Sequence, residues 1–322
     1  MKKILILVMS CQDEFFLEQE KYIDSTWGKD ILEGKYPNIS LIKYRGGYDS
    51  NKIVDNIMYL NCEDDVENTF KKTFLALSFC EVKFPDVDYI FRVNTSTFVN
   101  VPLLDAFVQS LENDEDLWCS ELYSLSEKPA PYPLMLYGRG NGLLLSKKII
   151  KIILGEGFSY IYLHRCDDDT IANILNSFWM KHKVNYDERI HSFQHGWFRC
   201  TPRAPENNHT LCSWDNANCN FDFMKNFITI QIKRYWEREI ENKNYIDLYN
   251  ECFKDNIDNN IQEAVKKQYE YDKDPNIFIG SILGYMPKNK WKNIDRRSLY
   301  DFQSSSKSLD DPSRGKKDIL IF

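Results

Sequence analysis

Three stretches of the chain hold side chains whose types and spacing suit chemistry. The first is Tyr89-Ile90-Phe91-Arg92-Val93-Asn94-Thr95-Ser96-Thr97-Phe98-Val99-Asn100. An apolar run ends in short polar residues, which a strand end would deliver to the edge of a sheet, within reach of a phosphate or a sugar. The plainer reading is a strand-to-helix turn with Asn94 and Ser96 as turn and cap residues. The second is Gly140-Asn141-Gly142-Leu143-Leu144-Leu145-Ser146. Its two glycines, read as lying just before a strand, admit a ligand close to backbone or make a tight turn. They precede the strand rather than follow it, so this is not a dinucleotide-binding fingerprint. The third is Asp167-Asp168-Asp169. Three adjacent carboxylates repel. They suit the first turn of a helix, where the dipole favours anions. One of them is a candidate general base taking a proton from a hydroxyl. Metal ligation is a third option.

The elements that must position these residues follow from hydrophobic spacing. Residues 3–9 read as a strand, an apolar run from Ile4 to Met9 after two lysines. The run is too short for a leader peptide and lacks a small-residue cleavage site after it, so it reads as a buried strand. A helical stretch ends near Trp27-Gly28. Residues 39–44 alternate as a strand and stop at Gly46-Gly47, and residues 57–60 read as another. Asp64-Asp65 sits where a helix cap belongs, ahead of helical spacing over 66–79. Strands are expected at 87–92, 116–125 and 143–146, and helices at 102–111, 147–154 and 168–181. A proline-rich turn holds Pro129, Pro131 and Pro133. Strands alternating with helices predict an α/β fold: a mixed, mainly parallel sheet flanked by helices, with ligands beyond the carboxyl ends of its strands. Residues 1–200 read as one α/β domain, 201–225 as a connecting loop, and 226–322 as a mostly helical C-terminal extension. In that extension, residues 221–253 and 261–271 show helical patterns and 303–317 is a polar connection.

Composition narrows the function classes. With 322 residues, 43% of them hydrophobic, the chain can bury a large core. A formal net charge of −7 argues against a basic nucleic-acid binder. No stretch is long and apolar enough to cross a bilayer as a helix. Nine cysteines, an odd number largely in apolar settings, read as reduced thiols. Cys200, His209, Cys212 and Cys219 form a looser group whose spacing is not that of a standard zinc module. A structural metal, loop thiols or a disulfide are all open there.

Taken in order, the motifs resemble the β-1,3-galactosyltransferase and Fringe-type family. The similar segments are Thr26-Trp27-Gly28, Asn68 with Lys72-Thr73, Phe98-Val99-Asn100, residues 140–146, and Asp167-Asp168 with Ile171, Ala172 and Leu175. The resemblance covers residues 3–200. It implies a GT-A fold, a nucleotide-sugar donor, a glycan acceptor and inverting transfer to a sugar hydroxyl. It places the catalytic base on Asp168, with Asp169 as the fallback. It makes Ser10, Lys72, Arg92, Asn94 and Ser96 donor contacts, and Gly140, Gly142, Asp167 and His195 substrate contacts. A structural role for His195 stays equally open.

Two departures stand out. The family's metal-binding acidic triplet is replaced by Asn94-Thr95-Ser96, which removes the main ligands for Mn2+ or Mg2+. The basic residue before Thr-Trp is also missing, with Asp24 near that position. Either transfer proceeds without metal, with Lys72 and Arg92 as candidate cations for the leaving diphosphate, or the chain is an inactive relative acting as a glycan-binding or scaffold protein. A metal-dependent hydrolase is a weaker rival. The implied setting is cytoplasmic, at the membrane face where a membrane-bound acceptor is met peripherally.

Overall fold

The computed structural model describes residues 1–111, 117–124, 136–163, 166–181, 198–199, 228–231, 242 and 245–250. Its first strand, β1 (Ile4–Met9), explains the architecture. Successive side chains of a strand point to opposite faces. Ile4, Ile6 and Val8 therefore enter one core cluster, while Leu5 and Leu7 enter the other. A strand buried on both faces must read as a continuous apolar run, as this one does.

Around β1 lies a seven-stranded sheet. In chain order the strands are β2 (Ile39–Arg45), β3 (Lys52–Val54), β4 (Ile57–Tyr59), β5 (Tyr89–Asn94), β7 (Trp118–Ser124) and β8 (Leu136–Ser146), and the spatial order is β3-β4-β2-β1-β5-β8-β7. β4, β2, β1 and β5 are mutually parallel, β3 and β8 run against them, and β7 returns to the common direction. The expected mixed, mainly parallel sheet flanked by helices is thus present.

One face is covered by α1 (Glu14–Ser25), α2 (Lys29–Leu32) and α4 (Val101–Ser110), whose Ile23, Ile31, Leu104 and Phe107 join the first core. The other carries α3 (Thr69–Lys83), α5 (Lys147–Glu156) and α6 (Asp167–Lys181), through Phe70, Leu77, Ile149, Ile153 and Ile171. Local signals set the helix starts. Asp13 accepts from Phe15 N–H, Asn100 from Leu103 N–H with Pro102 in the first turn, and Ser146 from Ile149 N–H. No helix among the described residues is long and apolar enough to cross a membrane.

Three expectations are corrected. The helix expected from residue 66 begins at Thr69. Asp65 is spent on the Asn68 N–H and Asp64 turns back to the sheet edge, so neither caps α3. Gly140 and Gly142 lie inside β8, not before a strand. Between the pairs Ser120↔Leu143 and Leu122↔Gly138, β7 advances two residues while β8 runs through Gly142, Asn141, Gly140 and Arg139. The glycines occupy this bulge, the device that bends a strand near a site. The helix expected over 221–253 is interrupted. Thr229–Gln231 is β10, which pairs antiparallel with β6 (Thr97–Val99) and parallel with β9 (Phe198–Arg199). Its partner β6 offers an open edge, which outweighs any helical spacing there. Residues 245–250 are helical. Tyr245 stacks on Tyr22 and donates its hydroxyl to Thr95 O, fastening the turn after β5.

His195, the Cys200–His209–Cys212–Cys219 group, the proline-rich turn, the 201–225 loop and the segments 261–271 and 303–317 fall outside the described residues.

Candidate active site

Four parallel strands end on one edge of the sheet, and the antiparallel β8 passes the same edge in its bulge. Because Arg92 pairs with Leu143, the residues that follow Arg92 on β5 face those preceding Leu143 on β8. The first turn of α6 closes the edge. A Cβ added at Gly140 would lie 2.9 Å from Arg92 Nη1, 3.1 Å from Asn94 Nδ2 and 3.4 Å from Asp168 Oδ2. Two residues of β5 and one of α6, more than 70 positions along the chain, therefore converge on one glycine, where a Cβ would press on all three side-chain ends.

Asp168 accepts from Gly140 N–H through Oδ2 at 3.2 Å and from Asp169 N–H through Oδ1 at 2.9 Å. Asp167 is buried. Its Oδ2 takes Arg92 Nη2 at 2.7 Å and the Thr73 hydroxyl at 2.9 Å. Arg92 also donates to Gly140 O at 2.7 Å and touches Met9 Sδ at 3.2 Å. Burial pushes the Asp168 carboxyl up to about 7, helped by the charges of Asp167 and Asp169 and opposed by Arg92 and the Asp169 N–H. Burial works against the Arg92 charge, but Asp167, Tyr44 and Asp168 outweigh it and hold the guanidinium above its ordinary range. A carboxyl poised near neutrality beside a backbone donor can exchange a proton with a bound hydroxyl.

The structure brings some of the sequence-derived residues together and separates others. Asp168, Arg92, Asn94 and Gly140 share the cluster, with Asp167 behind them. Asp169 follows on the same turn, half-buried. Lys72 lies farther along the edge. It is buried, donating to Ser10 O at 2.7 Å and to Asp64 Oδ1 at 2.8 Å. Asp64 also accepts from Gln12 N–H and Gly46 N–H. Both candidate cations are therefore ion-paired within the chain. Gly142 packs on the Phe91 ring and Thr229, so its small size serves packing. Ser96 is buried in the β5–β6 turn. Ser10 Oγ and Asn94 Oδ1 are buried and have no hydrogen-bond partner among the described residues. Such atoms invite a ligand's donor or acceptor.

The positions of the family's acidic triplet are neutral here. The Thr95 hydroxyl bonds Gln19 Oε1 at 2.7 Å, and its carbonyl takes Tyr245. Asn94 Oδ1 alone faces inward uncommitted, and one neutral oxygen does not fit a hard divalent cation. Among the described residues, no group of three His, Cys, Asp or Glu side chains is arranged to hold a metal ion.

Sequence reasoning passed over Tyr44 and gave Thr73 no role at the site. Tyr44 is fully buried with its hydroxyl 2.8 Å from Thr73 Oγ1. The available signal was a tyrosine one residue from the carboxyl end of a buried strand, where a phenol needs a polar partner.

No protein-family model and no curated protein sequence matches the chain. Among solved structures it is similar to the crystal structure of a glycosyltransferase involved in the glycosylation of the major capsid of PBCV-1, with 10% identity and a TM-score of 0.43, covering 76% of this chain and 99% of that one.

Proposed function

We propose that the chain is an inverting glycosyltransferase that moves a sugar from a nucleotide-sugar donor, a UDP-sugar by preference, to a hydroxyl of a glycan acceptor. The observation that carries this reading is Asp168, held up to about 7 at the sheet edge against Gly140 N–H, with Asn94 beside it. Asp168 takes the proton of the acceptor hydroxyl. The oxygen attacks the anomeric carbon from the face opposite the diphosphate, the bond to the diphosphate breaks, and the nucleoside diphosphate leaves. Asn94, Ser10 and Ser96 contact the donor, and the glycine-lined bulge admits a sugar close to backbone. The transfer runs without Mn2+ or Mg2+, since the triplet positions are neutral and hydrogen-bond donors must carry the leaving charge. The setting is glycoconjugate synthesis at a cytoplasmic membrane face, with a membrane-bound acceptor.

A second reading, a non-catalytic glycan-binding scaffold, is favoured by one observation: Lys72 and Arg92 both spend their charge on internal carboxylates. Product formation from a panel of nucleotide sugars with added sugar acceptors, in excess chelator, separates the two. Transfer that persists in chelator supports the first reading. Binding of glycan with no transfer under any condition supports the second. Loss of transfer on chelation, restored by manganese, overturns metal independence alone.

A further inference from the structure

Arg92 suits a diphosphate in composition, but its geometry points elsewhere. It is 1% exposed, and its terminal nitrogens are taken by Asp167 Oδ2, Gly140 O and Met9 Sδ. Thr73 adds a second donor to the same Asp167 oxygen. A hydroxyl has one proton, and a carboxylate oxygen only accepts. The Thr73 proton therefore goes to Asp167, and the 2.8 Å contact between Tyr44 and Thr73 must be a donation from the Tyr44 phenol. The bonds run in one direction, Tyr44 to Thr73 to Asp167, with Arg92 closing from the other side. Donors aligned head to tail polarise one another and strengthen the last bond. The chain spans β2, α3, α6 and β5, and Arg92 extends it to the β8 bulge.

We propose that Tyr44, Thr73 and Arg92 are positioning residues. Through Asp167 and Gly140 they lock the first turn of α6 to the sheet edge and so set the place and basicity of Asp168, and Arg92 makes no contact with the donor. This rests on Asp168 acting as the base. The charged and titratable groups facing Asp168 among the described residues are Asp167 and Asp169 from α6 and Arg92 from β5, with the Tyr44 phenol of β2 facing Arg92 and Asp167. The relay holds the first turn of α6 against the sheet edge, where burial raises the pKa of Asp168. Weakening the relay loosens that turn, lets water reach the carboxyl and lowers it.

Thr73→Val and Tyr44→Phe keep shape and break the relay, the first at both of its hydrogen bonds and the second at its start. Both are expected to lower kcat several-fold, leave nucleoside diphosphate affinity within about twofold, and move the acid limb of the pH–rate profile to lower pH. Arg92→Lys keeps the charge but cannot span Asp167 and Gly140 together. It is expected to lower kcat about tenfold with the same unchanged affinity. A tenfold or greater loss of nucleoside diphosphate affinity in Arg92→Lys overturns the assignment and returns Arg92 to the donor. The carboxyl carbon of Asp168, observed by ¹³C NMR and assigned by its loss in Asp168→Asn, provides a readout that needs no turnover. Its titration midpoint should fall by at least about half a pH unit in Thr73→Val. An unmoved midpoint defeats the relay even in an active enzyme. A shifted midpoint in a chain that transfers no sugar sustains the relay while the transferase reading fails.

Discussion

Two buried ionic clusters lie on opposite faces of the same sheet. On the face covered by α1, Lys43 donates to Asp24 at 2.5 Å and stands 4.0 Å from Glu20, while Arg45 grips Glu20 through Nε and Nη2. Two cations meet two carboxylates. On the face covered by α3 and α6, Arg92 alone meets Asp167, with Asp168 and Asp169 beside it. The balanced cluster can only hold α1 to β2. The unbalanced one leaves a carboxyl that cannot be charged cheaply, the condition that suits a proton-exchanging group. Asp24, which stands where a basic residue was expected from the resemblance, pairs with Lys43 of β2.

The largest expected difference is in activity. Asp168→Asn should lower turnover by about 10²- to 10⁴-fold, as loss of a general base does, with nucleotide affinity retained. If Asp169→Asn loses turnover and Asp168→Asn does not, the base is one residue along. Stability should move the other way. The folded-state pKa of Asp168 is raised, so between pH 4 and pH 7 the native state binds more protons than the unfolded chain. Stability therefore falls as pH rises through that window, by roughly 2 kcal/mol once screening of this partly exposed group is allowed for. Asp168→Asn should flatten that slope in urea melts and be more stable than the parent at pH 7.

In the balanced cluster the signs should reverse. Glu20→Gln leaves Arg45 and Lys43 short of charge in a buried place and should cost about 3 kcal/mol, with turnover per folded molecule unchanged. A Glu20→Gln variant that stays stable but loses turnover would break the division between structural and reactive clusters.

A smaller effect is expected at Gly140→Ala. The new Cβ presses on the far ends of Arg92, Asn94 and Asp168, which yield by a few tenths of an ångström. A fall of about tenfold in kcat/KM with under about 1 kcal/mol of destabilisation fits a glycine that shapes a site. Smallest of all is the exposed pair Lys35–Asp30, 2.9 Å apart. Removing it by Lys35→Ala should change stability by less than about 0.5 kcal/mol in the same melts, because solvent screens it and side-chain entropy opposes it.

The chain's own pattern determined most of the parallel core. A five-residue apolar run such as Ile4–Val8 has few alternatives to a strand buried on both faces, and Asp13, Asn100 and Ser146 mark helix starts through bonds made within three residues. The acidic run was legible as a helix opening for the same local reason. Longer-range facts were decided only by the fold. Nothing around Gly140 announces a bulge, because the bulge is a mismatch between two strands. Helical spacing near residue 229 gave way to the open edge of β6, a partner about 130 residues away. Which aspartate is basic, and whether Arg92 faces a ligand or Asp167, depends on charges brought together from β2, β5, α3 and α6. Electrostatic energy depends on distance in space and on burial, and neither can be read from spacing along the chain.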